Sequence, residues 1–230
     1  MQVAYTGSML FRVASVSAVA SGLWLLRNLY NIFMVLPDEA LQGPVYRILY
    51  FHVPAWWTAF LAVGVAAFAS VMYLIRKQLQ WDSIAVATTE VGLVFLLMGI
   101  SLGSIWGRIA WGIWWTWDAR LTSALICVLL YAGYLGLRNT IDDPTQRATA
   151  SAVFSLFALC DVPIVWYSIR WWRTQHPAPM DLPRDMMSAL LHNWGAMMLL
   201  VLALILIRFE QEQAERRIAS RRLAKQEMTA

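Results

Sequence analysis

The chain is 230 residues long, 60% hydrophobic and only 14% charged, with a mean hydropathy of +0.55. Water-soluble domains carry about 25% charged residues, and disordered chains are poor in apolar residues, so both classes are excluded. The formal net charge of +4 collects in the C-terminal tail. It bears on membrane orientation, and no nucleic acid is expected as a partner.

In chain order, apolar runs of membrane-spanning length fall at Val13–Leu36, Leu49–Ile75, Ile84–Trp106, Leu121–Leu137, Ala148–Ser168 and Leu190–Ile207. The expected fold is all-α, a polytopic bundle of six transmembrane helices. The first run is too long for a signal-peptide core, contains Arg27 and lacks a small-residue cleavage site, so it is read as a helix. Pro37, Gly43-Pro44, Asp142-Asp143-Pro144 and the stretch from Pro177 to Pro183 punctuate the runs. Residues 1–210 form one transmembrane domain on this reading, and residues 211–230 a charged cytoplasmic tail.

Lysine and arginine placement sets the expected orientation. Arg12, Arg76, Lys77, Arg138, Arg147 and the tail cluster Arg208, Arg216, Arg217, Arg221, Arg222 and Lys225 share the side of both termini. Arg47, Arg108, Arg120, Arg170, Arg173 and Arg184 lie opposite, and are fewer. Both termini are therefore expected in the cytoplasm, with the first, third and fifth loops outside. Of the 13 tryptophans, all but Trp24 and Trp81 fall in those outer loops or at outer helix ends. An aromatic belt would decorate both interfaces, so this one-sided distribution asks for more than a belt.

The three histidines, His52, His176 and His192, fall on the same outer side. Neutral imidazoles on a tryptophan-rich surface suit a metal or a metalloporphyrin. A bare zinc site would want further ligands and has no use for so many tryptophans. A porphyrin wants broad aromatic contact, axial imidazole and cationic partners for its propionates. The candidate propionate partners are Arg108, Arg120, Arg47 and Arg173, with lipid phosphate as the competing use of each. Cys127 and Cys160 lie in apolar runs and fit neither CxxC nor CxxCH, so both are read as buried reduced thiols, and haem is not attached covalently to this chain.

Residues 106–122 read WGRIAWGIWWTWDARLT. This string resembles the tryptophan-rich WWD signature of the haem-handling proteins of cytochrome c maturation. The flanking RILYFHVPAWW and the later WYSIRWWRTQHP resemble segments of one branch, the haem exporter protein C (CcmC) family, whose length and six spans fit the whole chain. The resemblance implies that His52 and His176 are axial haem ligands and that Trp114, Trp115, Trp117 and Asp118, with Trp111 beside them, form the haem platform. Gln175 and Pro177 depart from the family's familiar neighbours of the second histidine, and His192 matches no family position. Further implications are haem b as the carried ligand, an outer site in the bacterial inner membrane, and no enzymatic activity. The implied partners are a periplasmic haem chaperone (the E component), a small D component and the A and B subunits of an ABC-type ATPase, besides membrane lipid.

Asp118 has a second use, as the cap of the helix that follows it. The tail from Glu210 onward reads as a solvated helix near anionic lipid. Of the charges inside spans, Arg27 and Asp161 are expected to approach one another, with Asp161 near the outer site, and Glu90 to snorkel at the inner end. Two other functional classes compete. One is a b-type cytochrome carrying electrons, which needs histidines deep in helices. The other is a transporter of an aromatic or amphipathic solute with the tryptophans as its vestibule.

Overall fold

The computed structural model describes residues 9–177 and 181–228. Six helical segments in it are long and apolar enough to cross a membrane, and the chain is a multi-pass membrane protein. Helix α1 (Met9–Tyr30) ends in a π-helical turn, Asn31–Val35, and a short 3-10 turn, Pro44–Ile48, leads into α2 (Leu49–Arg76). Helices α3 (Leu79–Trp111) and α4 (Ala119–Arg138) follow. The fifth span is broken into α5 (Pro144–Leu159) and α6 (Asp161–Trp171), and α7 (Arg184–Glu227) closes the chain. Among the described residues there is no strand, only an isolated bridge between Glu39 and Gly43. The all-α expectation and its six spans hold.

Side-chain size decides who packs on whom. Buried Ala55, Ala59, Ala62, Ala66 and Ala69 give α2 a small-residue face, against which α3 packs more extensively than any other pair. Small faces let helix backbones approach closely where lipid offers no hydrophobic driving force. Val63, Phe95, Leu96, Cys127, Tyr131 and Met197 fill the centre of the bundle. Helix α1 lies along α7, and α6 along α4. The outward side of α1, with Val16, Val19, Leu23 and Leu26, is exposed.

Pro54 sits inside α2 and cannot donate to the carbonyl four residues back. That carbonyl, on Tyr50, accepts instead from Nδ2 of the buried Asn193 at 2.6 Å, which pins α7 to α2 at the height of the histidines. His192 beside it packs its ring edgewise on Trp24 of α1, 6.0 Å between centroids.

The charges inside spans find other partners than expected. Arg27 is exposed on α1, and no ion pair among the described residues includes it; α1 and α6 pack on different helices. Asp161 is buried against the Cys127 thiol, with Oδ2 unpartnered, and does not line the pocket that holds His52 and His176. Glu90 does not snorkel: it takes Nε and Nη2 of Arg208, the latter at 3.1 Å. Nor is the start of the tail a solvated helix. α7 runs on for 44 residues, about 66 Å, twice the roughly 30 Å of a hydrocarbon core. Glu212 and Arg216, beyond 210, join Asp82 and Arg138 in a buried network. Arg217, Arg221 and Arg222 are exposed, and the side chain of Lys225 lies outside the described residues. Both cysteines are free thiols, but Cys160 is exposed, not buried.

Candidate functional site

The tryptophan string is only partly a loop. With no breaker before it, α3 continues through Trp106 and Arg108 to Trp111. Gly112 then ends the helix at a φ of 75°, a conformation only glycine takes at little cost. A short loop, 112–118, crosses to α4, and the Ser104 hydroxyl of α3 donates to its Trp114 carbonyl at 2.8 Å. Asp118 caps α4, its Oδ1 accepting from the Leu121 N–H at 2.9 Å.

Beneath this loop is an open pocket with about 70 Å³ of free volume, at the end of the bundle that carries the tryptophan string. His52 from α2 and His176 from the fifth loop face one another across it, ring centroids 6.4 Å apart and planes tilted by 32°. Trp56, Trp111, Trp114, Trp115, Ile113 and Arg120 contribute to the walls. The floor is a face of α3 carrying Gly99, Gly103 and Gly107. A Cβ at Gly103 would stand 2.8 Å from Cε1 of His52, so that glycine is the space the imidazole occupies.

Each imidazole has one nitrogen already committed. His52 Nδ1 lies 2.9 Å from the Gly99 carbonyl, and His176 Nδ1 lies 2.8 Å from that of Pro177. A carbonyl only accepts, so both Nδ1 atoms carry the proton and both Nε2 lone pairs are left for a metal. Burial, and then the nearby Arg120 guanidinium, hold the His176 imidazole below its ordinary pKa, against smaller opposing contributions from Pro177 and Asp118. It is a neutral donor. Burial raises the Asp118 carboxyl, but hydrogen bonds from the N–H groups of Leu121 and Gln175 and the hydroxyls of Thr174 and Thr116 outweigh it and hold the group below its ordinary value.

The donor set decides which metal centre fits. Two imidazoles are too few for a structural zinc, which takes four ligands, and no group of three or more His, Cys, Asp or Glu suited to a metal exists among the described residues. Two axial nitrogens between aromatic walls are what a porphyrin iron asks of a protein, its remaining ligands coming from the macrocycle. The residues present fit that group.

The structure brings together His52, His176, Trp111, Trp114, Trp115 and Arg120. Trp117 is 76% exposed and stands outside the pocket, its ring against that of Trp115. Arg120 reaches α6 as well, donating to the Val165 carbonyl. Arg108 is exposed and donates to the Gly112 carbonyl, and Arg173 is exposed. Arg47 is committed elsewhere: it bonds the Ile32 and Leu36 carbonyls and pairs with Asp38 at 2.6 Å, bracing the first loop. Sequence reasoning missed Trp56, Gln175 and the three glycines. The glycines had a signal, their i, i+4, i+8 spacing, which places them on one helix face.

Fold and site together define a polytopic membrane protein with a two-histidine, tryptophan-walled pocket open at one end of the bundle. A family model described as Heme exporter protein C matches residues 3–224, and the chain belongs to that family. The Heme exporter protein C of Bradyrhizobium diazoefficiens is 35% identical over 216 residues, covering 91% of this chain and 82% of the relative. That of Paracoccus denitrificans is 32% identical over 195 residues, 80% of each chain. The Escherichia coli K12 protein of the same name is 38% identical over 148 residues, 63% of this chain and 59% of that one.

Proposed function

We propose that this chain binds haem b at the outer, periplasmic face of the bacterial inner membrane and hands it to a periplasmic haem chaperone during c-type cytochrome maturation. The observation that carries the reading is the convergence of His52 and His176, from separate elements, on one tryptophan-walled pocket with both Nε2 atoms free. The family's description, Heme exporter protein C, agrees with a haem cargo.

In this reading His52 and His176 hold the iron axially, and Trp111, Trp114 and Trp115 cover the porphyrin faces. Arg120, which lines the pocket, is the propionate partner in this reading, and Arg108 and Arg173 are the exposed alternatives. No bond of the cargo is broken and no residue acts as a catalyst, so the chain is a carrier, not an enzyme. The chemical logic is differential affinity. A pocket open on one side holds its ligand through two bonds and stacking, yet leaves an edge for an acceptor to grip. Exposed Trp117 stands at that edge and suits contact with the acceptor. The partners are the E-component chaperone, the small D component and the ABC-type A and B subunits, with both termini of this chain in the cytoplasm by its lysine and arginine distribution.

The test is an absorption spectrum of the purified protein, oxidised and reduced, beside His52→Ala and His176→Ala. A Soret band that shifts or weakens in each variant supports the reading. A band unchanged in both keeps haem and discards these ligands. No band at all, even with the acceptor co-expressed to trap a loaded complex, favours a transporter of aromatic solutes.

A further inference from the structure

His176 sits among residues 172–177, which follow α6 without regular structure, yet its ring faces His52. Asp118 supplies what holds it there. While Oδ1 caps α4, Oδ2 accepts from the Thr116 hydroxyl at 3.2 Å, the Thr174 hydroxyl at 2.9 Å and the Gln175 N–H at 3.0 Å. The Thr174 oxygen in turn accepts the His176 N–H at 3.1 Å. Among the described residues 173–177, the hydrogen bonds that reach the rest of the chain are those two to Asp118 Oδ2. The bond from His176 Nδ1 to Pro177 stays inside the loop.

We propose that Thr174 is a positioning residue for His176, and that its contact with Asp118 is a latch joining the third and fifth loops. The inference rests on His176 being a haem ligand. A threonine hydroxyl has one proton and two lone pairs. Here the proton goes to the carboxylate and a lone pair takes the His176 N–H, so one side chain links the cap of α4 to the backbone of the ligand. Closed, the latch aims the imidazole at His52. Open, it leaves α4 capped through Oδ1 and frees the fifth loop to carry His176 away, which removes one of the two bonds holding the cargo. An acceptor docking on the exposed rim of the two loops therefore frees His176 by breaking contacts at one carboxylate oxygen, and then has only the His52 bond left to displace.

The test uses the full chain loaded with haem in detergent, comparing Thr174→Val, Thr174→Ser and His176→Ala. Two quantities are read: the Soret and reduced-band positions, and the rate of haem loss to an excess of a haem-scavenging apoprotein. Thr174→Val is expected to release haem about tenfold faster or more, the order set by losing a hydrogen bond to a charged group. Its spectrum should move toward that of His176→Ala, with an unchanged melting temperature because the cap remains. Thr174→Ser, which keeps the hydroxyl, should restore both. If Thr174→Val keeps the parent's rate and spectrum while His176→Ala does not, the latch is wrong and the ligand stands. If His176→Ala itself matches the parent, the ligand assignment fails, and the latch with it. Should Thr174→Val melt early, Thr174→Ala takes its place: parent-like release in that variant overturns the latch, and fast release rescued by Thr174→Ser supports it.

Discussion

The closeness of Gly103 to His52 gives a prediction whose size follows from the geometry. In Gly103→Ala the new Cβ would lie 2.8 Å from Cε1 of His52 and 3.4 Å from Nδ1. Carbon atoms settle at about 3.5–4.0 Å, so the ring must retreat by about 0.7–1.2 Å. It has little freedom to do so. Nδ1 is held at 2.9 Å by the Gly99 carbonyl, and the ring is bracketed by Trp56 and Trp106, centroids 6.5 Å and 6.0 Å away. Overpacking of this kind costs about 1–3 kcal/mol, and if it falls on the ligated conformation it weakens haem binding by about 5–150-fold. The assay is a haem titration of the apoprotein followed at the Soret band, with a thermal melt alongside. Gly64→Ala is the matched control, since nothing lies within 4 Å of a Cβ there. Equal haem affinities and spectra in Gly103→Ala, Gly64→Ala and the parent would refute the role given to that face of α3.

At the other end of the bundle, Arg138→Ala removes one of the two arginines on Asp82, which is 2% exposed, and leaves Arg216 as its partner; the cost should therefore fall somewhat below the about 3–5 kcal/mol of stripping a buried charge of its sole partner. A melting temperature in detergent equal to the parent's would count against the network as a tie, and the haem spectrum should not change. Glu90→Gln should cost less, because Glu90 and Arg208 are 29% and 25% exposed where Asp82 and Arg138 are 2% and 7%, and Arg208 keeps Glu212 at 3.4 Å; the same melts, run in parallel, must rank the two variants in that order. Trp117→Ala removes a side chain that is 76% exposed, so stability should hold within about 0.5 kcal/mol. Transfer of haem to the acceptor chaperone should fall in that variant, and unimpaired transfer would leave Trp117 without a part in the handover.

How much of this could be read beforehand depended on whether a feature is local. The six spans follow from apolar runs alone, and the observed helices contain nearly all of each, as Met9–Val35 does for Val13–Leu36. The ends were harder. In the sequence Arg138 and Arg216 read only as cations on the side of both termini, and only the docking of α7 on α3 and the packing of α4 bring them onto Asp82. The same limit explains Arg27 and Asp161. Their depths along helices could be estimated, but which helices are neighbours could not. In the site, His52 and His176 were legible from motif, while the bonds aiming them were not. The Gly99 carbonyl is 47 residues from His52, and Thr174 is 56 from Asp118.

The two ends of the bundle are held by different means, and that difference bears on function. At the end with Arg138, helices are tied to helices by ion pairs among buried side chains, with Asp82 taking both Arg138 at 2.6 Å and Arg216 at 2.5 Å. Opening this end means separating several buried charges from their partners together, so it resists local opening. At the histidine end, His52 rides on α2 and is fixed through Gly99 to α3, whereas His176 rides on a loop tied by hydrogen bonds to one carboxylate oxygen. Local openings are drawn from segments with few buried apolar contacts and solvent-accessible hydrogen bonds. With the proposed latch, the protein presents one fixed imidazole and one releasable one to the same pocket, above a base tied by buried ion pairs. That is the division of labour a carrier needs if it is to grip a ligand from both sides and still surrender it from one.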